Sequence, residues 1–64
     1  MELEENKKYL IVYQLTPNDR DRAKKLIFRR NDGNFIVFFN EETQREEAIL
    51  EAKIIRWEKI ADGV

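Results

Sequence analysis

The chain has no cysteine, no histidine and no serine, and only two glycines and one proline in 64 residues. Each absence removes a class of chemistry. Without cysteine there is no disulfide and no thiolate nucleophile. Without cysteine and histidine together, a zinc site of the usual ligand types is excluded. Without histidine there is no Ser-His-Asp triad and no imidazole base working near neutral pH. The hydroxyls left besides tyrosine are Thr16 and Thr43. Two isolated glycines, Gly33 and Gly63, cannot build a phosphate loop or a dinucleotide fingerprint. Carboxylates are plentiful, but none stands in an apolar stretch that would raise its pKa. The reading is a non-catalytic protein with no cofactor and no bound metal.

Long apolar runs are missing too. The longest are Tyr9–Tyr13 and Phe35–Phe39, far short of the ~18 residues of a membrane span. The first six residues are acidic and lack the apolar centre of a signal peptide. These features, with the lack of cysteine, lead us to expect a cytoplasmic protein that does not enter a membrane. A chain of this length forms one small domain, residues 1–64, with residues 1–6 and 62–64 expected to fray. It buries only about 60% of its unfolded surface, so packing or a partner chain must supply its stability.

What is present is β-forming sequence. Residues 8–15, KYLIVYQL, are dense in β-branched and aromatic side chains and predict a strand apolar on both faces. Residues 16–21, TPNDRD, predict a turn; the competing reading is a helix to about Arg30, with Thr16 as cap and a thin stripe of Ala23, Leu26 and Ile27. Residues 24–39 predict a hairpin, with Asp32-Gly33 as a type I′ loop. That register sets Arg30 opposite Phe35, Phe28 opposite Val37 and Lys24 opposite Glu41. It makes Leu26, Phe28, Phe35, Val37 and Phe39 the core face. Residues 40–47 read as one or two helical turns behind an Asn40 cap, or as a polar connection. Residues 48–60 read best as a strand whose phase switches at Ile54-Ile55, the mark of a β-bulge. A helix here has a poor stripe. The fold class is mainly β or α+β: an antiparallel meander of three to four strands around the Asp32-Gly33 hairpin. It is expected to curl into a small open barrel or to pack on a short helix.

Two binding readings compete. With both sheet faces apolar and little chain to cover them, an exposed apolar patch is expected, and such patches mark interfaces. Tyr9, Tyr13, Phe38 and Trp57 are the candidate anchors, and the partner is another protein or a second copy of the chain. The chain is then a regulator, inhibitor or accessory subunit. The alternative is single-stranded nucleic acid, held by Arg20, Arg22, Lys24, Lys25, Arg29 and Arg30 beside the Phe residues. The net charge of −1 and the pI near 5.4 weigh against it. Pairing of the basic run with Glu41–Glu47 would neutralise it without any ligand. The acidic run Glu41, Glu42, Glu46, Glu47 and Glu51 has no calcium-loop spacing and reads as a solvated face.

Overall fold

The computed structural model describes residues 1–60. Five strands, β1 (Lys8–Tyr13), β2 (Arg22–Asp32), β3 (Phe35–Asn40), β4 (Arg45–Leu50) and β5 (Ile54–Lys59), form one antiparallel sheet. Their order across the sheet is β4-β3-β2-β1-β5. β4 and β5 are the edges, and no pairing joins them. In place of the small open barrel expected from the sequence, the strands form a single open sheet. The expected packing helix is also missing, because the one helical element among the described residues is a 3-10 turn at Glu51–Lys53. That turn carries the chain from one edge of the sheet to the other.

The sheet has one more strand than expected because residues 48–60 are two strands and not one. Ala48, Ile49 and Leu50 belong to one edge, Ile54 and Trp57 to the other. The phase switch at Ile54-Ile55 does coincide with an irregularity, where Val12 pairs with Arg56 but Tyr13 with Ile54. Residues 41–44 form a hairpin turn rather than helix. Asn40 serves there, with Oδ1 accepting from the Glu42 and Thr43 amides (2.9 and 3.4 Å), and Gln44 takes the left-handed φ of 59°.

The central hairpin lies where expected, but its register does not. Asp32 pairs with Phe35, so Gly33 and Asn34 are the loop residues, and of the two only Gly33 has positive φ (62°). That suits a turn with glycine at its first central position. A bulge then adds a residue to β2 between Phe28 and Arg30. Phe28 consequently faces Phe38, where Val37 was expected. A one-residue slip exchanges the two faces of a strand. The core face of β3 is thus Ile36 and Phe38, not Phe35, Val37 and Phe39.

The core comprises Tyr9, Ile11, Tyr13, Leu26, Phe28, Ile36, Phe38 and Ile49 on one face of the sheet. Phe28 and Phe38 meet edge to face, their centroids 6.3 Å apart. Residues 1–6 lie against this core. Met1 and Leu3 pack on it, the Asn6 amide donates to the Phe28 carbonyl, and the Glu4 amide donates to Tyr9 Oη. Residues 62–64 lie outside the described residues.

The opposite face carries Leu10, Val12, Ile27, Val37 and Phe39 by register. Val12 and Val37 are nevertheless buried. Long charged side chains stand over this face and cover it with their stems. Lys8 Nζ reaches Glu41 at 2.6 Å, Arg30 reaches Glu46 at 3.1 Å, and the Arg29 guanidinium lies 5.3 Å from the Phe39 ring centroid.

Candidate functional site

The basic segment does not form a single positive surface. Alternation along β2 sends Arg22 and Lys24 to the core face, beside Tyr13 and Ile11, and Lys25 to the other face, beside Leu10. Most of the charges already have partners. Arg22 pairs with Asp19 at 3.3 Å, Lys24 with Glu47 at 2.8 Å, and Arg30 with Glu46 at 3.1 Å. Arg29 donates to Asn6 Oδ1 at 2.7 Å. Arg20 and Lys25 make no ion pair among the described residues. Lys24 was expected opposite Glu41; the shifted hairpin gives it Glu47 instead, and Glu41 takes Lys8.

Glu47 is the most constrained charge. Its carboxylate accepts from Lys24 Nζ and, at 2.6 Å, from Nδ2 of the buried Asn40. The Lys24 hydrogen bond holds the Glu47 carboxyl below the usual carboxylate range, with Asn40 adding to it and partial burial opposing. Reciprocally, Glu47 raises the Lys24 ammonium above the usual lysine range. At the surface, Arg30 lowers the Glu46 carboxyl and Lys59 lowers that of Glu4, each chiefly through its hydrogen bond. The Lys24 and Arg30 pairs join β2 to β4, and the Lys59 pair ties the N-terminal segment to β5. Among the described residues, no group of three acidic side chains is placed to hold a metal ion. No helix there is long and apolar enough to cross a membrane.

Of the candidate anchors, Tyr9, Tyr13 and Phe38 are buried at 5%, 4% and 0% exposure. They form the core and do not reach the surface. Trp57 is the exception at 46%, on edge strand β5 opposite Ile11. Two further exposed apolar side chains lie on β5 or in the loop after β1. Leu15 and Ile55 are 44% and 49% exposed, and both line a groove of about 240 Å³ with Thr16, Pro17 and Ala52. Local bonds hold this groove open at the end of the sheet. The Gln14 amide donates to the Lys53 carbonyl at 3.0 Å, and Lys53 Nζ donates to the Leu15 carbonyl. The loop after β1 is thereby tied to the 3-10 turn before β5. A second hollow, of about 190 Å³, lies beside Trp57 between Leu10, Val12, Arg56 and Glu58.

Leu15 and Ile55 were not among the sequence candidates. Each is an apolar residue at the end of its run, and nothing in the local pattern distinguishes exposure from burial there. Compared with known protein families, curated proteins and solved structures, the chain matches none.

Proposed function

We propose that the chain is a non-catalytic protein-interaction module that binds a partner protein through the β5 side of the sheet. The observation that carries this reading is the company Trp57 keeps. Among the described residues, three of the four large apolar side chains that remain more than two-fifths exposed, Leu15, Ile55 and Trp57, belong to β5 or to the groove it lines. Grouped apolar exposure beside a concave site is what interfaces use, and tryptophan is a preferred anchor. An edge strand that pairs on one side only among the described residues adds a place for a partner strand.

The chain path supports a sheet bent around its core. Leu50 to Ile54 is four residue steps, about 14 Å at most. Across a flat sheet the edges would stand about 19 Å apart, four strand spacings. Such a bend places the core on the concave side.

The test uses the chain as bait in lysate of its host, beside Leu15→Lys and Ile55→Lys variants. A lysine in the groove keeps the core intact and adds an unpaired charge to any apolar contact. The wild-type bait is expected to retain a partner that each variant loses by about tenfold or more. Equal retention by wild type and both variants contradicts this site.

A further inference from the structure

We infer that β5 is a self-complementary edge, and that two copies of this chain pair through it antiparallel, with Trp57 facing Trp57 across the twofold axis. This deepens the interaction reading above and rests on it: it names the occupant of the edge, with Ile55 of each copy opposite Lys59 of the other.

The argument begins with which backbone groups are available. The Ile60 amide donates to the Lys8 carbonyl at 3.0 Å, and the register continues as Leu10 with Glu58 and Val12 with Arg56. Along an antiparallel strand, successive residues direct their N–H and C=O groups to opposite sides. Arg56, Glu58 and Ile60 therefore spend theirs on β1. Trp57 directs its own outward, away from the sheet. An incoming antiparallel strand must present an outward-directed residue of its own to Trp57.

When the incoming strand is a second β5, that condition restricts the registers, and charge then chooses among them. With Trp57 opposite Trp57, Arg56 of each copy falls opposite Glu58 of the other, giving two reciprocal opposite-charge pairs. A slip of one allowed step either way sets Arg56 on Arg56 or Glu58 on Glu58. The favourable pairs also fall at non-hydrogen-bonded positions, where facing side chains approach most closely. Arg56 and Glu58 are exposed, and neither has an ion-pair partner among the described residues. That sets them apart from Lys24, Arg30, Glu46 and Glu47, all of which are engaged. The other edge, β4, lacks this pattern, because its Glu46 and Glu47 are held by Arg30 and Lys24.

The charges on β5 thus serve two ends. They deter pairing with an arbitrary strand, as charges on edges do. They permit pairing with the one strand whose order of charge is the reverse of their own under a twofold axis. In the dimer the two Leu15–Ile55 grooves lie at opposite ends of the paired strands, so the module becomes bivalent.

The experiment is sedimentation equilibrium over a concentration series, followed in parallel by the emission of Trp57, the only tryptophan. Wild type, R56E, E58R and the R56E/E58R double variant are compared. Both side chains are exposed, so the variants keep the fold, which circular dichroism verifies. Wild type is expected to dimerise, with emission moving to the blue as concentration rises. Each single variant replaces two attractions with two repulsions and is expected to weaken the dimer about tenfold or more. The double variant restores both pairs in reverse and is expected to return to within about threefold of wild type. A wild type that stays monomeric to about 1 mM overturns the inference. So does a dimer indifferent to the single variants, or a double variant as weak as they are. A monomer whose bait still retains an Ile55-dependent partner overturns the pairing alone. A charge-dependent dimer that retains no partner overturns the partner-binding reading alone.

Discussion

Replacing Phe38 by alanine is expected to remove about 3–5 kcal/mol of stability, the usual cost of deleting a buried phenylalanine and leaving its cavity. Phe38 is fully buried, in the middle of β3, and packs edge to face on Phe28 across the β2–β3 pairing. A chain of 64 residues has about 3–10 kcal/mol in total. The variant therefore sits near its unfolding threshold at room temperature. Its neighbour supplies the control. Phe39 lies on the opposite face, half-buried beneath the Arg29 guanidinium, and Phe39→Ala is expected to lose about 1–2 kcal/mol. Urea midpoints at constant slope measure both. The order of the two losses also tests the hairpin register. With Asp32 and Gly33 as the loop, Phe39 would be the core residue and the order would reverse.

Glu47→Ala is expected to cost about 1–3 kcal/mol, because it strips the buried Asn40 amide of its acceptor and leaves Lys24 unpaired. Glu47→Gln should cost less, since its carbonyl oxygen still accepts from Asn40. The pH dependence follows from the direction of the shift. The folded Glu47 carboxyl titrates below its unfolded value. Its contribution is therefore complete above the unfolded carboxylate range and is lost as pH falls through the folded pKa. Lys24 behaves in the opposite sense. Its folded value is raised, so its share is present below the ordinary lysine range and fades as pH rises through the folded value. Denaturant stability measured from pH 7 down to pH 2 should show wild type and Glu47→Gln converging, because protonation makes Glu47 as neutral as glutamine. Parallel curves over that interval would contradict the role given to the Lys24–Glu47–Asn40 cluster.

Strand β1 was legible because KYLIVY leaves no competing pattern, and the place of the central hairpin because Asp32-Gly33-Asn34 interrupts two apolar runs. Its register was not legible. Asp-Gly and Gly-Asn are both acceptable two-residue loops, and the bulge at Arg29 has no mark in the residues around it. The change of loop moves the pairing by two and keeps the faces; the bulge takes it back by one and moves Phe38 from the outer face to the core. Residues 48–60 show a different loss of information. Alternation reports which residues share a face but not which neighbour they pair with. AIL and IIRW therefore read as one strand, although a 3-10 turn sends them to opposite edges. Whether the basic run is free or paired with Glu41–Glu47 was open from the sequence; the structure pairs Arg30 with Glu46 and Lys24 with Glu47. Of the site, the sequence pointed to Trp57 by residue type alone. Leu15 and Ile55 come together through the contact between the loop after β1 and the turn before β5, which no local pattern contains.

The claim that β5 and its groove form the working surface is tested most directly by site-specific photocrosslinking in the host cell. A photoreactive residue is placed at Ile55, and in a matched chain at Ala48, which is exposed on the other edge strand. A discrete adduct with a protein other than a second copy of this chain is expected from position 55, and none from position 48. No adduct at 55, or the same adducts from both positions, would contradict it.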